Sequence, residues 1–303
     1  MAVQTRSIKR RIKSIRNTRK ITKAMELVAA SKMRKAVNAV LGTRPYARLA
    51  WSTVFAIVAK TEGKLHLLLR QSEKIEKVLL LVIASDRGLA GGFNANILRR
   101  TLATISALGP AVKIEAICVG KRAGDAMRKA EKPIIASFTG LANNPKFEEI
   151  LPMGRLIIDE FVKGTYDKVV LCYTDYVSAI SQRATALDLL PLSSPEALKG
   201  LGTLGTGNGE EKKTEIEDYL FEPTPEEVLK RILPRLMETM VYQAVLESSA
   251  SEHASRMMAM RSASDAAGDM IDALTFTYNQ ARQAGITREI AEISSGKAAL
   301  ENK

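Results

Sequence analysis

The stretch best equipped for chemistry is Ser85-Asp86-Arg87-Gly88-Leu89-Ala90-Gly91-Gly92-Phe93-Asn94. It follows an apolar run, Lys77–Ser85, and precedes a helical pattern from about Ala95 to Ser106. Phosphate-binding loops occupy such positions, because the amides and dipole of a helix N-terminus favour anions. The spacing fits neither known fingerprint. The glycines do not give G-x-G-x-x-G, and no Gly-Lys-Ser/Thr closes the loop. Glycine's tolerance of positive φ is sufficient cause for the composition, so a tight structural turn is the better reading. The two histidines, His66 and His253, are far apart, and no Ser-His-Asp, paired-carboxylate or metal-ligand spacing stands out. Cys118 and Cys172 each sit inside an apolar strand-like run. They read as small buried hydrophobes in a reducing compartment, without zinc or redox spacing. No catalytic, cofactor-binding or metal-binding residue is expected.

Charge is the second functional signal. Of the 45 lysines and arginines, fourteen fall in residues 1–48, against a single acid, Glu26, of the 33 acids. The net charge of +12 therefore belongs to the N-terminal segment. Such density points to nucleic acid, an anionic membrane surface or an acidic protein partner. Ile8, Ile12, Ile15, Thr22, Met25, Ala29, Met33, Ala36 and Val40 recur at helical spacing, with the bases around the remaining faces. A DNA-binding basic helix needs a dimerisation device and base-reading residues, and neither is evident. Gly42 and Pro45 are expected to interrupt or end this helix.

The element that must position the basic helix lies at the other end of the chain. From Ile232 through Leu236, Thr239, Gln243, Leu246, Ala250, His253, Met257, Met260, Ser264, Ala267, Ile271, Leu274 and Tyr278 to Ala281, a seam recurs every 3.5 residues on average. No proline interrupts it after Pro234. About 65 helical residues make a rod on the order of 100 Å long. Small and polar seam residues suit a close-packed partner helix, and the N-terminal stripe has the same character. The two ends are read as an antiparallel pair.

Between them the rhythm changes. Strands are expected at Lys77–Ser85, Lys113–Val119, Ile134–Phe138 and Lys168–Thr174, with helices at Ala95–Ser106, Arg122–Lys129 and Phe147–Lys163. This alternation predicts a mostly parallel sheet with helices on both faces. Thr185–Pro191 adds a strand expected to run antiparallel, since no helix precedes it. Residues 200–213 read as a loop, and an acidic connector leads to the last helix with Thr224 as its cap. The organisation is thus 1–60, an N-terminal coiled-coil helix; 74–191, an α/β domain; 192–227, loop and acidic connector; and 228–303, a C-terminal coiled-coil helix. No run of about 18 apolar residues is present to span a membrane.

Three blocks carry a resemblance: IKRRIKSIRNTRKITKAMELVAASKMRKA near the N-terminus, SDRGLAGGFNANILRR in the centre, and SSASEHASRMMAMRSASDAAGDMIDALTFTYNQARQAGITREIAEISSGKAAL near the C-terminus. Together, and in this order, they resemble the gamma subunit family of F-type ATP synthases. The resemblance implies a non-catalytic rotor. Its terminal helices form an asymmetric coiled coil turning inside a hexamer of alternating alpha and beta subunits. Its Rossmann-like α/β domain forms a foot on the epsilon subunit and the membrane c ring. The rotor couples proton-driven rotation of that ring to ATP synthesis or hydrolysis. Lys20, Lys23 and Met25 match the segment at the acidic beta levers. Arg282 and Gln283 match positions at a beta catch loop, with Arg256 in the same coupling. Tyr219 and Glu222 match the segment resting on the c ring. The chain has no apolar signal-peptide core and no transit peptide, so the family location expected is the cytoplasmic side of a bacterial inner membrane, held peripherally. Loop 200–213 lacks the cysteine pair of the chloroplast form, so thiol regulation is not expected, and Lys297 stands where the family carries a small residue. Two rivals remain from the residues themselves. A basic coiled-coil nucleic-acid binder predicts retention on DNA with steep salt dependence; a small-molecule enzyme predicts saturable phosphate binding at the glycine turn.

Overall fold

A computed structural model describes residues 2–60, 67–70, 72, 74–141, 145–192, 222 and 224–301. The chain divides into two compact units, one of Ala29–Arg256 and one of Met1–Val28 with Met257–Lys303. Two long helices, α1 (Ala2–Lys60) and the last helix, α5 (Pro225–Glu301), contribute to both. Pro45 lies inside α1, so the expected interruption does not occur. The proline costs the helix one hydrogen bond, because it has no N–H for the carbonyl of Leu41.

The larger unit is built on a five-stranded sheet. The strands are β1 (Lys77–Ile83), β2 (Lys113–Val119), β3 (Ile134–Phe138), β4 (Lys168–Tyr176) and β5 (Gln182–Leu190). Their order is β3-β2-β1-β4-β5, parallel except for the antiparallel β4–β5 pair. Helices α2 (Phe93–Leu108), α3 (Lys121–Lys129) and α4 (Phe147–Val162) connect the parallel strands. The central strand explains why an unbroken apolar run was needed. Leu79, Leu81 and Ile83 join one core cluster, while Val78, Leu80 and Val82 join another on the opposite face. A strand buried on both faces has no polar side to show. β5 begins three residues before the expected Thr185 because its hairpin partner β4 also runs on to Tyr176.

The first core cluster takes much of its substance from α5. Leu229, Leu233, Leu236, Met237, Met240 and Val241 are all essentially inaccessible and pack with α4 and with β1, β2 and β4. Burial of each such side chain is worth ~1.5–3 kcal/mol, so this stretch belongs to the α/β core itself. From Leu236 to Ala254 every residue is buried except the half-buried Tyr242. Thr224 caps α5 as expected, its hydroxyl accepting the Glu227 N–H at 3.3 Å. Glu238 sits between Arg155 (3.6 Å) and Arg235 (3.0 Å), and Arg235 lies 4.4 Å over the Phe147 ring. These contacts tie α4 to α5.

The smaller unit is the antiparallel pair. Ile8 and Ile12 pack with Ile271, and partly buried Ile15, Leu274, Tyr278 and Ala281 extend the cluster. Farther along α1, Arg19 lies against Gly268, Thr22 bonds Ser264, and Glu26 meets Arg261. One helix ascends as the other descends. The buried positions Met260, Ser264, Ala267 and Ile271 step by four, three and four residues, the heptad seam read from the sequence.

Candidate partner-facing surfaces

In an open parallel sheet, ligands bind beyond the carboxyl ends of the strands, at the point where strand order reverses. Here that point lies between β1 and β4, where the glycine-rich turn begins. The turn is knitted to itself and to its neighbours. Asn94 Oδ1 accepts the Ser85 N–H at 3.1 Å, and the Asn94 amide donates to Ser85 Oγ at 2.7 Å. The Asp86 carboxylate accepts the N–H of Lys121 (3.1 Å) after β2 and of Gly140 (2.9 Å) after β3. One side chain thus links three successive turns. Gly120, at φ 87°, passes so close to the end of β1 that a Cβ there would stand 2.2 Å from the Ala84 carbonyl oxygen. Leu89 holds φ 62° while 68% exposed, a conformation costly for a non-glycine residue.

The crevice itself is occupied by α5. Ser248 Oγ accepts the Thr174 N–H at 3.1 Å, and Ser251 Oγ donates to the Thr174 carbonyl at 3.3 Å. Seven residues on from Ser248, Ser255 Oγ donates to the Ala90 carbonyl at 2.7 Å, and Arg256 donates to the Gly88 carbonyl at 3.3 Å. Arg256 also pairs with Glu252 at 2.7 Å, both side chains being largely buried. Burial raises the Glu252 carboxyl, opposed by Arg256 and Lys32 and reinforced by Asp86. The serines were visible in the sequence as SSASEHAS, an unusual stretch inside a long helix because serine competes with helical hydrogen bonding. Their partners, 74 to 165 residues earlier in the chain, were not.

On the helix pair, Thr22 Oγ1 and Ser264 Oγ meet at 2.6 Å in a buried contact. The lone early acid, Glu26, turns into the seam, where it pairs with Lys23 at 2.9 Å and approaches Arg261 at 4.0 Å. Met25, placed on the stripe by the sequence reading, is only half-buried, because Glu26 takes the seam position. Ile21 (61%), Leu27 (61%) and Val28 (55%) are exposed around it. A groove of about 1230 Å³ runs along this pair, lined by eight bases from Arg6 to Lys23, including Lys20, with Asp265 the one acid in its wall. Its apolar floor includes Ile12 and Ile271.

The expected site residues fall into separate groups. Lys20 and Lys23 are exposed on α1, and Arg282 and Gln283 are exposed on α5. Arg256 belongs to the other unit and is committed to the glycine turn. Glu222 is exposed, and Tyr219 lies outside the described residues. Cys118 and Cys172 are buried as expected, and burial pushes each thiol up to about 11. His253 is buried, 3.5 Å from Arg256, and His66 lies outside the described residues. Among the described residues no group of His, Cys, Asp or Glu could hold a metal ion, and no helix is long and apolar enough to cross a membrane.

The family model described as ATP synthase matches residues 4–300. The ATP synthase gamma chain of Alkaliphilus metalliredigens (strain QYMF) is 40% identical over 302 residues, covering 99% of this chain and all of that one. The ATP synthase gamma chain of Xanthomonas oryzae pv. oryzae (strain PXO99A) is 39% identical over 297 residues, covering 97% and 99%. Among solved structures, a chain of the Tetrahymena thermophila mitochondrial ATP synthase central stalk and c-ring aligns at TM-score 0.59 and 27% identity, covering 80% of this chain and 99% of that one. A chain of the Euglena gracilis mitochondrial ATP synthase rotor aligns at TM-score 0.63 and 21% identity, covering 94% and 100%, and speaks for the fold alone.

Proposed function

The chain belongs to the ATP synthase gamma family, whose members are the non-catalytic central stalk of the rotary enzyme, and from that membership we propose how its surfaces are used. It turns within three alpha and three beta subunits and carries rotation between them and a membrane ring of c subunits, with the epsilon subunit on its α/β unit. It works peripherally on the cytoplasmic side of a bacterial inner membrane, a location supported by the bacterial relatives.

The observation that carries the reading is the division of labour on the helix pair. Small and polar contacts such as Thr22–Ser264 fill the seam, while eight bases are left on an open groove. A groove of that charge attracts acidic segments over about 8–10 Å at ordinary salt. Lys20 and Met25 contact the acidic levers of beta, with exposed Ile21 and Val28 adding apolar contact beside Met25. Lys23 shares its charge with Glu26 and contributes less. Exposed Arg282 and Gln283 meet a beta catch loop. Tyr219 and Glu222 rest on the c ring. The domain organisation follows the same logic: 1–60 and 228–303 act as shaft helices, 74–191 as foot, and 192–227 as connector.

The test mixes the purified chain with separately purified alpha and beta subunits and measures particle mass and ATP hydrolysis together. One copy per particle, with hydrolysis that depends on it, is expected; single-copy asymmetry is rare among otherwise symmetric assemblies. A chain that stays alone, or forms its own symmetric oligomer, overturns the proposal. None of the relatives above is a nucleic-acid-binding protein, and the switch-point crevice that an enzyme of this fold would use is filled by α5.

A further inference from the structure

The α/β unit has the strand order and the glycine-rich first turn of a ligand-binding sheet, yet its crevice holds the chain's own helix. Four side chains of α5 seat it there. Ser248 and Ser251 bond both backbone groups of Thr174 near the end of β4. Ser255 and Arg256 bond carbonyls of Ala90 and Gly88 in the turn after β1. The spacing of 248, 251, 255 and 256 keeps these groups on one side of a 3.6-residue helix. Arg256 is also the last residue of the α/β unit on α5. The final turn before the helix leaves that unit is therefore held by hydrogen bonds directed at fixed carbonyls. The turn that receives them is itself held, by Asn94 on Ser85 and by Asp86 on two neighbouring turns.

We propose that Ser255 and Arg256 are positioning residues that fix the rotational phase of α5 against the glycine-rich turn, so that rotation of the α/β unit is delivered to the shaft without slip. The inference rests on the rotor reading above. Apolar packing resists separation of helix and sheet but is non-directional, so it sets the angular position of the helix less sharply than directed bonds do. Hydrogen bonds weaken steeply when bent, and bonds placed off the helix axis oppose that turning. Arg256 is thereby assigned inward, to the foot, and not to a catch loop. Glu252 keeps the guanidinium in place from one turn below, with Lys32 and Asp86 as the other charges facing it and His253 beside it.

The test uses the complete ATP synthase in inverted membrane vesicles, comparing wild type with a Ser255→Ala/Arg256→Lys double variant. The lysine keeps the charge beside Glu252 while both tethers to the turn are lost. Assembled enzyme, ATP hydrolysis and ATP-driven proton uptake are measured on the same vesicles. Loss of two hydrogen bonds that position without binding is expected to lower uptake per ATP about two-fold or more at near-normal assembly, with each single variant between. A merely structural role lowers assembly and hydrolysis together and leaves their ratio to uptake unchanged; that result overturns the proposal. If the double variant does not assemble, Ser255→Ala alone carries the test, and a wild-type ratio there overturns it equally. Failure of the rotor reading would appear differently, as a wild-type chain absent from any hydrolysing particle.

Discussion

Two glycines with nearly the same backbone and different surroundings separate strain from close contact. Gly109 ends α2 at φ 84°, ψ 164°, and Gly120 precedes α3 at φ 87°, ψ 146°. An alanine pays about 1–3 kcal/mol to hold either conformation. At Gly109 a Cβ meets nothing within 4 Å, so that strain is the whole effect. At Gly120 the Cβ would lie 2.2 Å from the Ala84 oxygen and 2.9 Å from the carbonyl carbons of Ala84 and Ser85. All three are backbone atoms, held by the Ala84 N–H on Val119 (2.9 Å) and the Arg122 N–H on the Ser85 carbonyl (3.0 Å). Relief means moving the end of β1 by roughly 1 Å and weakening these bonds, so Gly120→Ala is expected to cost about 4–5 kcal/mol in all, at the extreme of single substitutions. That is a large share of the ~5–15 kcal/mol available to a typical domain. Urea titration of the purified full chain, read by hydrogen exchange of the β1 and β2 amides, measures both variants. Losses equal within about 0.5 kcal/mol, the usual error of such comparisons, would show that close approach at Gly120 is not what requires glycine.

Further outcomes are expected elsewhere. Reversing Lys20 and Lys23 together to glutamate should lower proton pumping per ATP more than it lowers assembly, with Lys20→Glu responsible for most of the effect because Lys23 already pairs with Glu26; unchanged pumping in vesicles refutes the electrostatic role. In the seam, Thr22→Val strands the Ser264 hydroxyl and should cost about 1–3 kcal/mol. Ser264→Ala should cost less, since Thr22 also reaches the Arg19 carbonyl at 3.1 Å, and a double-mutant cycle of denaturation midpoints reads the coupling directly. Asp167 supplies a pH test. Burial raises its carboxyl, but the amides of Lys77 and Glu76 and the Ser72 hydroxyl outweigh this and hold it below the ordinary value. A depressed folded pKa contributes stability above the unfolded value, near pH 4, and loses it as pH falls through the folded one. The advantage of wild type over Asp167→Asn should therefore be constant near neutral pH and shrink in acid; a gap that widens in acid contradicts the assignment.

The sheet was legible because its signals are local. KVLLLVI announces a strand buried on both faces, and the antiparallel last strand followed from the missing crossover helix. The helix pair was legible through its period, with Ser264, Ala267 and Ile271 buried as the seam required. Between Leu236 and Ala254 the same reading was incomplete. It expected one buried stripe, and the structure buries nearly every face, including Glu247, Glu252 and three serines. A helix enclosed on all sides has no solvent face, so periodicity stops marking its environment. Met25 and Glu26 differ for a related reason: an acid enters the seam where Lys23 and Arg261 can receive it, which no single-chain pattern encodes. The hydrogen bond of Arg256 to Gly88 was not legible, since its partner lies 168 residues away.

The contribution of α5 to the α/β core also bears on how the chain is made. Leu229 to Val245 close one face of a sheet whose last strand ends at Leu190. During synthesis at about 5–20 residues per second, that face waits roughly 3–10 seconds for its cover, longer while the helix is still inside the ribosome. A transcript cut short before this point yields a sheet with an apolar face open to chaperones and proteases. The α/β unit therefore cannot finish folding before the start of the last helix exists.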